Sequence, residues 1–186
     1  PVVGPNCFGL HSPAGGITLL PGFDFSREPG SIALISQSGG IANDFGHEAI
    51  AAGLKISKVI SYGNGCDLEA TELLEYLAED PDTRFIAAYL EGVRDGRRFL
   101  ETVRAVSARK PVVIWKGGLT PLGARATLSH TGSLGGESQI WQGALAQAGA
   151  RVIVAARNAE KLAAVAQEIA AAGGEARAPQ GRGGTE

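Results

Sequence analysis

Four short apolar runs, Ile32 to Ile35, Ile56 to Ile60, Phe85 to Leu90 and Val112 to Trp115, punctuate the chain and read as buried strands. The stretches between them change to helical spacing. After the first run, Ile41, Ala42, Phe45, Ala49, Ile50 and Ala52 recur on one helix face. After the second, Leu68, Leu73, Leu74 and Leu77 do the same, until Ala78-Glu79-Asp80-Pro81-Asp82 stops the helix. Phe99, Val103 and Val106 mark a third helix, ended by Lys110-Pro111. The residues before Ile32 read as an extended opening. Strands alternating with helices of this length predict an α/β fold with a mainly parallel sheet covered on both faces.

The predicted architecture is flavodoxin-like and doubly wound, and each strand runs into a glycine-bearing loop. These loops are Ser36-Gln37-Ser38-Gly39-Gly40, Ser61-Tyr62-Gly63-Asn64-Gly65, Glu91-Gly92 and Lys116-Gly117-Gly118. In open α/β sheets, ligands bind beyond the carboxyl ends of the strands. The first loop opens a helix, whose unpaired N–H groups and dipole favour phosphate. Ser36, Gln37, Ser38, Gly39 and Gly40 are therefore candidate phosphate-binding residues, although Ser38 serves equally as an N-cap beside glycines that permit close packing. Glu91 stands where a carboxylate can orient the ring of a histidine. It reads equally as an exposed carboxylate near Arg94, Arg97 and Arg98. Lys116 and Arg125 suit either a phosphate or solvent, and neither is assigned a catalytic role.

A longer loop, Ser129-His130-Thr131-Gly132-Ser133-Leu134-Gly135-Gly136, sets one histidine among small, hydroxyl-bearing and glycine residues. A neutral imidazole can attack phosphorus through one nitrogen while an acceptor holds the other. His130 is the candidate nucleophile, with Ser129, Thr131, Gly132 and Ser133 as phosphate ligands. A polar loop whose histidine faces water has the same composition.

Composition excludes several classes. With 44% hydrophobic and 19% charged residues and a formal net charge of -2, nothing basic suggests nucleic acid. No apolar run is long enough to span a bilayer, and no signal-peptide pattern opens the chain. Two cysteines do not define a disulfide framework, so a reduced, cytoplasmic protein is expected. His11, His47, His130, Cys7 and Cys66 are too scattered for a metal site, and no structural zinc is expected. The chain contains no methionine and so reads as a fragment or a processed product.

Taken together, Gly4-Pro5-Asn6-Cys7, the SQSGG turn, Gly63-Asn64-Gly65-Cys66-Asp67, Tyr89-Leu90-Glu91-Gly92, Lys116-Gly117-Gly118 and SHTGSLGG resemble the nucleoside-diphosphate-forming acyl-CoA synthetases, relatives of the succinyl-CoA synthetase alpha subunit. The resemblance runs from Gly4 to Gly149. It implies a phosphohistidine domain in which His130 takes a phosphoryl group from ATP or GTP with magnesium and passes it to a carboxylate. Coenzyme A then displaces phosphate from the acyl phosphate. The resemblance assigns Glu91 to orienting His130 and places Asn6 and Cys7 near the thiol end of coenzyme A, with Cys7 not a nucleophile. It also implies a CoA-binding Rossmann domain, an ATP-grasp subunit or domain, a small carboxylic acid or acyl-CoA substrate, and an oligomer. A noncatalytic acyl-CoA-responsive regulatory module is the alternative.

The expected organisation is a phosphohistidine domain over 1–150, an appended strand-helix unit over 151–175, and a mobile tail over 176–186. Arg151 to Leu162 resembles the second strand and helix of short-chain dehydrogenases, which makes a dehydrogenase fragment a third reading. The glycine fingerprint and the tyrosine–lysine pair that hydride chemistry needs are missing.

Overall fold

A computed structural model describes residues 1–19, 25–117, 141, 143–145, 152–153 and 176–177. The chain divides into two units, Pro1–Gly135 and Gly136–Glu186. In the first, the strands are β1 (Gly9–Ser12), β2 (Ile17–Thr18), β3 (Ile32–Ser36), β4 (Ile56–Ser61), β5 (Phe85–Leu90) and β6 (Val112–Lys116). The helices are α1 (Gly39–Ala51), α2 (Ala70–Glu79) and α3 (Gly96–Ser107). The strands form one sheet in the order β2-β1-β4-β3-β5-β6. β3 pairs in parallel with β4 and β5, and β5 with β6, whereas β1 runs antiparallel to β2 and β4. The sheet is thus flavodoxin-like and mostly parallel. The extended opening resolves into two antiparallel strands, β1 beside β4 and β2 at the edge, that too few apolar residues announce.

Winding follows from alternation along the strands. Leu34 and Val59 point to one face and pack with Ala42 and Ala49 of α1, with Phe25 completing the cluster. Ala33, Ile35, Ile86, Ala88 and Leu90 are buried on the opposite face, where α2 packs on β3 and β5 and against α3. Leu73, Leu74 and Leu77 of α2 and Phe99, Val103 and Val106 of α3 are buried there. Full burial of such a side chain contributes about 1.5–3 kcal/mol. On the α1 side, the outer edge of the sheet is barer. Val113 and Trp115 are exposed, and the Trp115 ring meets that of Tyr89 edge-on at 5.3 Å.

Helix starts are set by side chains. Ser38 caps α1 by accepting from Ile41 N–H at 3.3 Å, and Asp95 caps α3 by accepting from Arg98 N–H at 3.0 Å. At α2, Glu69 and Glu72 form a capping box. The opposite, amino-terminal edge of the sheet holds a buried polar knot. Lys58 Nζ lies 2.7 Å from Asp80 Oδ2, Thr83 Oγ1 donates to the same oxygen, and Ser57 and Thr83 hydroxyls meet at 2.8 Å.

In the second unit, Trp141 and residues 143–145 are helical, and β7 (Val152–Ile153) pairs in parallel with β8 (Ala176–Arg177). The latter pair opens the stretch expected to be a mobile tail.

Candidate functional site

The connection leaving β3 runs to β4 on one side and that leaving β5 runs to β6 on the other, so the loops after these two neighbouring strands diverge and open a crevice beyond their carboxyl ends. Gln37 and Glu91 stand at that point, because Gln37 follows β3 and Glu91 follows β5. Both are buried. Oε1 of Gln37 accepts the backbone N–H of Glu91 and, at 2.9 Å, that of Gly92. Tyr89 Oη donates to Glu91 Oε1 at 3.5 Å. Burial and the neighbouring Glu91 charge push the Tyr89 phenol above its ordinary range.

The SQSGG turn is braced from within. Ser36 Oγ donates to the Ser38 carbonyl at 2.7 Å and accepts from Ser38 N–H at 3.1 Å. With the Ser38 hydroxyl on the α1 cap and the Gln37 carbonyl on Glu91, the two serines serve the turn itself. The N–H groups of Gly39 and Gly40 are the ones at this helix end for which helix geometry supplies no acceptor.

A cavity of about 440 Å³ opens at this helix end, lined by Asn6, Cys7, Phe8, Gln37, Ser38, Gly39 and Gly40. It joins two groups of sequence candidates, Asn6 with Cys7 and the residues from Gln37 to Gly40. Phe8 was not among the candidates. A Cβ at Gly39 would lie 1.6 Å from Phe8 Cδ2, so the phenyl ring rests directly on the start of the helix. Only the absence of a side chain at Gly39 permits that approach, a signal that needs the fold to be seen.

The GNGCD loop holds the wall that carries Asn6 and Cys7. Asn64 N–H donates to Pro5 O at 3.0 Å, Cys66 N–H to Gly4 O at 3.0 Å and Leu68 N–H to Val2 O at 3.2 Å. Asn6 Nδ2 donates to Asn64 Oδ1 at 3.2 Å. Arg94 closes the loop from the other side through the carbonyls of Cys66 and Asp67, at 3.1 and 2.7 Å. Gly63 sits at φ +54°, and a Cβ there would lie 2.2 Å from Asn6 O and 2.3 Å from Pro5 O. Both obstacles are main chain. Gly63→Ala is expected to cost about 2–3 kcal/mol through backbone strain and this clash. Urea unfolding would register the loss, and an unchanged midpoint would contradict the packing described.

Tyr62, at the end of β4, has a hydroxyl that is buried without a hydrogen-bond partner. Burial, then the charges of Glu69 and Glu91, raise its pKa well above the usual phenol value. Glu69 is itself engaged by Thr71 Oγ1 at 3.2 Å and Arg94 N–H at 3.1 Å. His130, with Ser129, Thr131, Gly132 and Ser133, lies outside the described residues. Among the described residues no cluster of three His, Cys, Asp or Glu side chains could hold a metal ion, and no helix is long and apolar enough to cross a membrane.

A mostly parallel, doubly wound sheet with a helix-end cavity and a buried carboxylate at its switch point defines a flavodoxin-like α/β domain. The chain belongs to the family described as the succinyl-CoA ligase like flavodoxin domain, which matches residues 29–169. It is 39% identical over 151 residues to the alpha subunit of ADP-forming acetate–CoA ligase II of Pyrococcus furiosus, covering 81% of this chain and 33% of that one. A 4-hydroxybutyrate–CoA ligase (ADP-forming) of Nitrosopumilus maritimus is 38% identical over 152 residues, covering 80% of this chain and 22% of the relative. Among solved structures, the dinucleotide-forming acetyl-coenzyme A synthetase 1 of Ca. Korarchaeum cryptofilum, in complex with phosphate and ADP, superposes with a TM-score of 0.69 at 36% identity. That match covers 85% of this chain and 34% of the other. The chain thus spans about a third or less of the length of these relatives.

The family match continues to residue 169, through the segment that resembles a dehydrogenase at Arg151 to Leu162. That resemblance is not borne out. An apolar strand followed by an alanine-rich helix is what any βα unit of a parallel sheet presents, so the pattern does not separate the two families.

Proposed function

We propose that this chain is the phosphohistidine-carrying part of an NDP-forming acyl-CoA synthetase, which converts a carboxylate, coenzyme A and ATP or GTP reversibly into acyl-CoA, nucleoside diphosphate and phosphate. The observation that carries the reading is the convergence of the α1 N-terminus, the Asn6–Cys7 wall and buried Glu91 at one edge of the sheet. His130 is the nucleophile and Glu91 accepts a hydrogen bond from its second ring nitrogen. The Gly39 and Gly40 N–H groups, joined by Ser129, Thr131, Gly132 and Ser133, hold the phosphoryl group. Dividing the reaction this way gives each transfer an in-line nucleophile and a neutralised phosphoryl group.

The relatives' names support the substrate class, being ligases of acetate and 4-hydroxybutyrate with coenzyme A. The acid itself is a small carboxylic acid. A CoA-binding Rossmann domain and an ATP-grasp subunit or domain complete the enzyme, within a cytoplasmic oligomer. Magnesium enters such chemistry with the nucleotide, and no step assigned to this chain runs through it.

The test combines the chain with its CoA-binding domain and an ATP-grasp partner proven active on another alpha subunit, and supplies nucleotide labelled in its terminal phosphate. Acid-labile, base-stable label on the chain is the expected result. A folded chain that takes up none, while binding acyl-CoA, would be the regulatory module instead.

A further inference from the structure

The peptide that carries Glu91 is held from both sides. Its N–H, together with that of Gly92, donates to Gln37 Oε1. Its carbonyl accepts from Lys116 Nζ at 2.8 Å, and the same ammonium donates to the carbonyl of Gly117. The chain beyond β6 is drawn close to β5 to make this possible. Gly117 N–H donates to Leu90 O at 2.8 Å, and a Cβ at Gly117 would lie 2.4 Å from Tyr89 Oη.

A lysine at the end of an outer strand can extend its ammonium into water while burying only its stem. Lys116 instead turns inward onto two main-chain carbonyls. Burial there lowers its pKa, and the nearby Glu91 charge works against that fall. Desolvating a cation is unfavourable unless its hydrogen bonds compensate, so the arrangement favours one position of the Glu91 peptide over others.

We propose that Lys116 is a positioning residue, which with Gln37 clamps the Glu91–Gly92 turn and thereby holds the Glu91 carboxylate in the orientation that chemistry at His130 requires. The inference rests on the function proposed above. A carboxylate released by about 1 Å forfeits up to about 100-fold in rate, because orientation is lost while binding is not.

The experiment compares Lys116→Met and Lys116→Arg with the wild type in the complete enzyme, measuring labelling of the chain, kcat, and KM for nucleotide and coenzyme A. Lys116→Met is expected to lower the labelling rate and kcat by about 10–100-fold while KM values stay within about twofold. Lys116→Arg, which keeps the charge and the donors, should recover most of that loss. Wild-type turnover in Lys116→Met, or a change confined to KM, would overturn the clamp. Should Lys116→Met fail to fold, Lys116→Gln takes its place and is read against the same outcomes. A wild-type chain that takes up no label would remove the underlying function and the clamp with it, whereas a labelled wild type beside a fully active Lys116→Met removes the clamp alone.

Discussion

A His130→Ala chain is expected to take up no acid-labile label from nucleotide, and Glu91→Gln is expected to slow labelling by about 100-fold. The two variants fail for different reasons. Alanine removes the only group in its loop with a nitrogen nucleophile, and hydroxyls such as those of Ser129, Thr131 and Ser133 are weak nucleophiles in their protonated form. Glutamine at 91 keeps the volume and the clamped peptide but replaces an anionic acceptor with a neutral amide. Under the proposed function, the ring of His130 would then be held by a weaker acceptor. Rapid-quench labelling of the complete enzyme would separate the cases. Label persisting in His130→Ala would place the phosphoryl group elsewhere, and full-rate labelling of Glu91→Gln would relieve Glu91 of its role.

Lys58→Met is expected to destabilise the fold by about 3–5 kcal/mol, since it strands a buried carboxylate at Asp80. Both side chains are well buried, at 11% exposure for Lys58 and 6% for Asp80. The reverse variant, Asp80→Ala, should cost less because Lys58 Nζ retains Asp82, 3.6 Å away and half exposed. Burial pushes the Asp80 carboxyl upward, but hydrogen bonds from Lys58 and Thr83, the Lys58 charge and the Asp82 backbone outweigh it and leave the pKa below its ordinary value. A carboxyl depressed in the folded state stabilises the protein above its unfolded pKa of about 3.9 and loses that contribution as pH falls through the folded value. Chemical unfolding from pH 7 down to about 3 should therefore show a fall in wild-type stability that is reduced in Asp80→Ala. Parallel pH profiles for the two chains would show that the pair does not carry this dependence.

The sheet and helices were legible because their signals are local. Phe85 to Leu90 matches β5 residue for residue, and the other three runs fall within one residue of β3, β4 and β6. The α2 boundary came two residues early, since Leu68 fits the apolar face while the capping box at Glu69 and Glu72 sets the true start. Gly9–Ser12 and Ile17–Thr18 carry no strand signal in the sequence, because such short antiparallel strands depend on pairing, β1 with β4 and β2 with β1, and on no periodicity of their own. At the site, composition found Gln37 but not its use. A side-chain carbonyl that accepts from residues 54 and 55 positions away is a tertiary fact, as are the inward turn of Lys116 and the Phe8 ring over Gly39.

The edge-on contact between Trp115 and Tyr89 gives the chain a native optical reporter. Trp115 directly precedes Lys116, Tyr89 touches Glu91, and the only other tryptophan is Trp141. In a Trp141→Phe background, tryptophan emission therefore comes from a single indole, one residue from the lysine that grips the Glu91 turn. Whether that turn moves during the proposed phosphorylation can be followed in real time without attaching a dye.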